Sequence, residues 1–427
     1  MEYFTTTLPN GLRIVHRPTD AAVSYCGFMV DAGTRDEASP EVYGMAHFIE
    51  HMLFKGTEHR TAWHISNRME AVGGELNAFT TKEDTTIYSA FLHQDFDRAC
   101  ELLCDLVCHP TAPMPELERE REVVIDEINS YRDNPPELIY DEFEDRLFAS
   151  LPLGHNILGS ESSVRGFDSE ACLKFIKTHY LPSRTVFFSC GRTPWKHVVR
   201  MVSKCYDRSM GGELAEVCRI SHPLVAKTLP SSSLESKTSS LARLQSRASI
   251  LTTDTHQAHV MLGSLAYPVG SSRAAAMALL NNILGGPCMN SRLNQALREK
   301  RGLVYTVESS LTSYTDTGLF NIYFGCDHKD LNRCLGITLT QLRHLREKGL
   351  SSSRLAAAQK QFCGQLGVGS AHQENAAISL GKSILRLGRC ESLEASQARV
   401  AAVTSSDLLA VANEVLAEDM LQLVVIR

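Results

Sequence analysis

The motif His-x-Asp-x-x-Arg occurs twice in this chain, at His93 and at His328, 235 residues apart, and each copy leads into a run with apolar periodicity. A second pair of stretches keeps nearly the same offset. "YCGFMVDAG" from Tyr25 and "VMLGSLAYPVG" from Val260 both read as strands closing on a glycine. Two agreeing offsets mark a duplication, and a duplication decides the architecture before any single motif does. The 427 residues are therefore expected to form two copies of one fold. Each half reads as strand, strand, helix, strand, strand, long helices and a final strand. "GLRIVHRP" and "VSYCGFMVDAG" have the β-branched and aromatic content of strands. "YGMAHFIEHMLF" and "PELEREREVVIDEINSYR" have helical spacing, and "GELNAFTTKEDTTIYSAFL" reads as a hairpin. Strands paired in series with helices gathered into runs argue for an α+β fold rather than an alternating parallel sheet.

Between the halves, "AKTLPSSSLESKTSSLARLQSRAS" carries eight serines in 24 residues and no periodicity, the composition of a flexible linker. The expected organisation is a first domain over 1–220, a linker over 221–247 and a second domain over 248–427. A net charge of -6 and a pI near 6.3 provide no basic field for nucleic acid or anionic lipid. No apolar run is long enough to span a membrane, and "MEYFTTTLPNGLRIVHRP" lacks the charged, apolar and small-residue order of a secretory signal. Thirteen cysteines, an odd number spread over a long chain, fit a reducing compartment. The expected location is the cytoplasm.

The chemistry is concentrated in "GMAHFIEHMLFKGT", residues 44–57. On a helix, positions i and i+4 share a face, so His47 and His51 can present two imidazole nitrogens to one ion. Glu50 flanks that face and can reach a water beside the ion without being a ligand. A catalytic zinc site uses three protein ligands and leaves a fourth position open. The richest source of a third ligand is "MPELEREREVVIDEINSY", where Pro115 suits a helix start and acids crowd the first turns. Glu120, Val124, Glu127 and Tyr131 fall on one stripe, and Leu117, Val124, Ile128 and Tyr131 give the buried edge beside it. Glu120 and Glu127 thus stand at the border of the core face, and the stripe does not choose between them.

Together "HFIEHMLFKGT", "GGELNAFTTKEDTTIY", "REVVIDEI", "LPLGHNILGS" and "YLPSRTVFFSCG" resemble the inverted-zincin peptidases of the pitrilysin family. The likeness is strongest to the short branch that includes the mitochondrial processing peptidase β subunit and its bacterial relatives. The resemblance covers nearly the whole chain. It implies a zinc endopeptidase in which His47, His51 and Glu127 hold one Zn2+ per chain, Glu50 is the base, and Glu120 is a supporting acid. It also implies that Arg298 and Tyr305, in "SRLNQALREKRGLVYTVESS", are catalytic and substrate-binding groups, with Tyr305 donating to the developing oxyanion. The strand "GELNAFTT" is then an edge that takes the peptide by β-addition, with Asn77 and Ala78 as contacts. The two domains would face each other as a clamshell around a chamber that admits unfolded peptides or extended termini.

The second half lacks the metal residues. Its counterparts of the two metal-bearing segments, "LLNNILGGPCMNSRL" and "LAAAQKQFCGQLG", hold no His or Glu, so the repeat keeps the architecture without the ion. Because the chain has both the zinc motif and the Arg298/Tyr305 pair, a homodimer is expected, with a metal-free paralogous partner as the other arrangement. Two rival functions are a non-catalytic assembly subunit and a partner-dependent processing subunit of the same fold. The first would have lost one of His47, Glu50, His51 or Glu127, and this chain retains all four. Cys100, Cys104 and Cys108, with His109 next, resemble a soft-metal cluster but read as core packing, since Leu103 and Val107 adjoin them. His59, His64 and His155 read as surface groups.

Overall fold

A computed structural model describes residues 3–149, 151–206, 240–246 and 248–427. It contains two sheets. The first runs β1-β2-β6-β3-β5-β4, with β1 Phe4–Thr7, β2 Arg13–Pro18, β3 Val23–Val30, β4 Glu75–Thr80, β5 Thr85–Leu92 and β6 Thr185–Gly191. The second runs β7-β11-β8-β10-β9, with β7 Ser249–Leu251, β8 Ala258–Ala266, β9 Val304–Ser313, β10 Gly318–Cys326 and β11 Gln422–Ile426. Set β1 aside and the two orders are the same, each with one parallel pair, β2 with β6 and β11 with β7. The duplication is therefore visible in the topology. It is also visible locally: His93–Asp95 and His328–Asp330 each form a 3-10 turn that opens a long helix. The fold is α+β, as expected.

Helices named below are α1 Met45–Leu53, α2 Ala62–Glu70, α3 Phe96–Cys108, α4 Met114–Arg132 and α5 Pro135–Leu147. The central strands are largely apolar, and every residue of β6, "TVFFSCG", is buried, as in a strand covered on both faces. The triplet Cys100, Cys104 and Cys108 is buried in α3 at 0%, 1% and 8% exposure, the core placement expected of it. No disulfide joins the cysteines among the described residues, and no described helix is long and apolar enough to cross a membrane.

The compact units do not follow the contiguous boundaries expected from the sequence. The first is built from the chain up to Ser130, the stretch from Phe148 to the helix Trp195–Cys205, and Gly369–Glu391; the second takes in Tyr131–Leu147. Each sheet thus carries a helix supplied by the other half of the chain. The reason is packing. In the second unit α5 lies on β8 and β11 through Ile139 and Phe143, and Gly263 leaves the space that the Phe143 ring approaches. In the first unit the helix Gln373–Leu387 sets Ala377, Leu380 and Ile384 on Val15, Met29, Val186 and Phe188. A Cβ on Gly381 would stand 2.8 Å from Phe188, which explains a glycine inside a helix despite its unfavourable propensity. Of the expected linker, 221–239 and 247 lie outside the described residues. Its end corrects the expectation, because Ser240–Gln245 is helical and Leu244 joins the core of the second unit.

Candidate metal centre

Seven of the nine residues of α1 are buried, so the helix is held by apolar packing on nearly all sides. Phe48 meets Phe167 edge-on. Its N-terminus is capped from a distance. Gly44 precedes the helix at φ +92°, and a Cβ there would lie 2.5 Å from the Leu158 carbonyl oxygen. The buried Glu37 carboxylate accepts from the Gly44 and Ala46 amides at 2.8 and 2.9 Å, answering the orphan donors and the positive end of the helix. His155 Nε2 lies 2.9 Å from the same carboxylate, with the Tyr43 ring stacked on the imidazole and the Lys82 ammonium donating to the His155 carbonyl. His155 is 6% exposed, so the reading of it as a surface group is corrected: it is part of the mount of α1.

From this helix His47 and His51 project together, ring centroids 4.7 Å apart. Glu127, on α4, brings Oε2 to 3.7 Å from His47 Nε2 and 3.6 Å from His51 Nε2. These separations are close to the roughly 3.4 Å edge of a tetrahedral site built on zinc–nitrogen bonds. Two imidazoles and a carboxylate are also the donor chemistry of catalytic zinc, so the residues fit the ion that the resemblance implies. Burial, followed by the charge of His51, pulls His47 down to about 3. It is thus neutral, the state in which imidazole ligates. Its Nδ1 is buried without a hydrogen-bond partner among the described residues.

Glu120 and Glu127, which the sequence stripe left equivalent, are separated by geometry. Glu120 Oε2 sits 3.1 Å from His51 Nδ1, and its Oε1 meets Lys55 Nζ at 2.6 Å. Burial alone would raise Glu120, but His51 and Lys55 outweigh it and hold the carboxyl below its usual range. An ionised Glu120 keeps the proton of His51 on Nδ1 and leaves Nε2 facing Glu127. Outer partners of this kind commonly govern ligand orientation. Glu120→Gln is therefore expected to weaken zinc binding by about 10–100-fold, measured by competition with a chromophoric chelator; an unchanged affinity would reduce Glu120 to a packing role.

Glu50 stands on the same helix, outside the three-donor set, and accepts from the Thr80 hydroxyl at 2.6 Å. Burial pushes its carboxyl up, only partly countered by Thr80 and His51. Thr80 closes β4, and β4 pairs with β5 alone in the sheet, so Asn77 and Ala78 lie on an edge strand with one backbone side unpaired in the ladder. In the second unit Arg298 falls in a π-helical turn, Asn294–Glu299, and its guanidinium is 5.9 Å from the Tyr305 ring centroid. Tyr305 is 82% exposed. It sits at a bulge, because Val304 pairs with Cys326 and Val307 with Phe324, leaving two residues against one. Bulges re-aim side chains and π-turns recur at functional sites.

Sequence reading missed Glu37, Lys55 and Thr80. Only Lys55 had a signal within reach, since it lies one turn beyond His51 on the face that meets Glu120.

A family profile described as "Insulinase (Peptidase family M16)" matches residues 13–161, which contain His47, Glu50, His51, Glu120 and Glu127. A second, described as "Peptidase M16 inactive domain", matches 166–362. The "inactive" profile thus begins after the three-donor cluster. The chain is 34% identical to an uncharacterized zinc protease of Streptomyces coelicolor over 96% of this chain and 86% of that protein. It is 32% identical to the uncharacterized zinc protease YmxG of Bacillus subtilis over 97% and 95%. In fold it is similar to a protease from Helicobacter pylori, with TM-score 0.86 and 20% identity, covering 100% of this chain and 99% of that one. A peptidase M16 inactive domain from Pseudomonas fluorescens gives TM-score 0.84 at 19% identity, with 100% and 98% covered. By its sequence along nearly its whole length, this chain belongs to peptidase family M16, the pitrilysin-type metallopeptidases.

Proposed function

We propose that the chain is a zinc-dependent endopeptidase acting on peptides and extended protein termini. His47, His51 and Glu127 are its ligands and Glu50 is its base. The observation that carries this reading is the convergence of His47 Nε2, His51 Nε2 and Glu127 Oε2 beside a further acid, Glu50, that is not among the three donors. Zinc bound there would polarise the scissile carbonyl and bring the pKa of water towards about 7. Glu50, raised by burial and held by Thr80, takes the proton of the attacking water and passes it to the leaving amine nitrogen. The edge strand β4 binds the peptide backbone through Asn77 and Ala78, which gives affinity without demanding a side-chain sequence. Arg298 and Tyr305 are assigned to the substrate, with the Tyr305 hydroxyl donating where negative charge develops on the carbonyl oxygen; their mutual pairing and the exposure of Tyr305 support that role.

The proposal extends to a homodimer in the cytoplasm. Ligands, base and the Arg298/Tyr305 pair all belong to one chain, so no partner of different sequence has to complete the set, and the many thiols suit a reducing compartment.

The test is cleavage of a mixed peptide library before and after metal removal. Cleavage is expected to fall to background on dialysis against a chelator and to return with zinc. Undiminished cleavage by metal-free protein would overturn the zinc mechanism. Absence of cleavage by protein that holds zinc would favour the assembly-subunit reading.

A further inference from the structure

Apart from the centre on α1 and α4, one other group among the described residues brings three metal-ligating atoms together: His59, Asp105 and His109. Asp105 and His109 are four apart at the C-terminal end of α3, so both side chains leave the helix on one face. His59 comes from the turn between α1 and α2. Both imidazoles point Nδ1 at the same oxygen, His59 at 2.6 Å and His109 at 3.2 Å from Asp105 Oδ1, with the rings nearly perpendicular and 4.8 Å between centroids. Asp105 is 5% exposed. Its other oxygen, Oδ2, accepts from the Thr57 hydroxyl at 2.7 Å and from Arg60 Nη1 at 2.5 Å.

We infer that His59, Asp105 and His109 form a second, non-catalytic site for a divalent transition-metal ion of the zinc type. Four features lead to it. Two imidazole nitrogens from different elements converge on one carboxylate oxygen, so that all three ligating atoms lie within 4.8 Å of one another. The donor set repeats, in kind, the one on α1 and α4: two histidines and one acid. The second oxygen is fixed by Thr57 and Arg60, as the non-ligating oxygen of a metal-bound carboxylate usually is. Arg60 also ion-pairs with Glu101, so Asp105 is not the sole counter-charge to that guanidinium. The imidazoles select a zinc-, cobalt- or nickel-type ion over calcium or magnesium, which take oxygen donors. The His59 side chain is 56% exposed and that of His109 22%, which leaves an approach for a hydrated ion and room for water to complete its shell.

Its role would be mechanical. The turn that carries Thr57, His59 and Arg60 follows α1 and Lys55, and its Glu58 amide already donates to the His109 carbonyl at 2.9 Å. An ion at His59 and His109 would fasten that turn to the end of α3, within a few residues of the pair Lys55–Glu120 that orients His51.

The experiment measures zinc stoichiometry and affinity by equilibrium dialysis, on wild type, His59→Ala, His109→Ala, His51→Ala and His51→Ala/His59→Ala, with folding followed by circular dichroism. Two equivalents are expected for wild type and one for His51→Ala. His59→Ala and His109→Ala should hold one tight equivalent, with the second weakened at least about tenfold, and the double variant should hold none. His59 is more than half exposed, so its substitution leaves the fold intact. Zinc should raise the melting temperature of His51→Ala but not of the double variant. The inference is overturned if His59→Ala binds as much zinc as wild type, or if folded His51→Ala binds none. Neither readout depends on peptidase activity.

Discussion

Glu50→Gln is expected to lower kcat for peptide hydrolysis by about 10²–10⁴-fold, the usual contribution of a positioned general base, with zinc content unchanged from wild type. The substitution is nearly isosteric. The amide oxygen of the substituted side chain can still accept from Thr80, which now donates to Glu50 Oε2 at 2.6 Å, so α1 and the donors it carries have no reason to move. What disappears is the capacity to take a proton. The structure favours that capacity, because burial pushes the Glu50 carboxyl above its usual range and brings its proton affinity nearer to that of the groups it would serve. Thr80→Val separates the two parts of the argument. It removes the hydrogen bond but leaves the carboxylate, and should cost far less than Glu50→Gln. A Glu50→Gln variant that keeps a tenth or more of wild-type kcat at full zinc occupancy would remove Glu50 from the proposed role of base. If zinc is lost as well, Glu50 is instead needed to assemble the site.

The contrast between Glu50 and Glu37 shows what the sequence makes legible. His47, Glu50 and His51 are local: a helix of known pitch places them, and residues 44–57 alone are enough to ask the metal question. Glu127 is halfway to that condition. The stripe on α4 put it and Glu120 at the edge of the core, but only the distances to His47 Nε2, His51 Nε2 and His51 Nδ1 give the two acids different positions. Glu37 and His155 are illegible because their meaning is wholly tertiary. Nothing in the spacing from Glu37 to Gly44 announces a carboxylate that folds back onto the start of α1, and His155 lies 118 residues from the acid it meets. The exchanged helices fail for a similar reason. The apolar stripes of α5 and Gln373–Leu387 say that each covers a sheet, and not which sheet. The duplication was legible because it repeats in the chain what the strand orders repeat in space.

The helix Gln373–Leu387 carries the largest expected effect on stability, through Arg386. Its guanidinium bonds Asp31 Oδ1 at 2.5 Å and Asp84 Oδ2 at 2.8 Å, and Glu83 Oε2 stands 3.7 Å away. The Arg386 side chain is 5% exposed and that of Asp84 1%. Burial works against the charge on Arg386, but Glu83, Asp31 and Asp84 outweigh it and hold the guanidinium pKa above its ordinary value. Arg386→Met would leave those carboxylates with too little positive charge in a low-dielectric setting, the situation in which breaking a buried pair costs about 3–5 kcal/mol. Asp84→Asn should cost less, since Arg386 keeps Asp31 and Glu83. The pair of substitutions made together should fall short of the sum, by about 1 kcal/mol or more, because the two side chains touch. Urea titration of the four proteins measures all of this, and a loss below about 1 kcal/mol for Arg386→Met would mean that Arg35, 2.7 Å from Glu83, and Lys382, 3.6 Å from Asp84, already supply the needed charge. The consequence reaches the metal centre through the chain itself. Glu83 and Asp84 belong to the turn between β4 and β5, and that turn begins one residue after Thr80. Loosening it should therefore disturb the hydroxyl that holds Glu50, so Arg386→Met is expected to lower kcat before it unfolds the protein, while zinc binding, which depends on α1 and α4, declines later along the same urea titration.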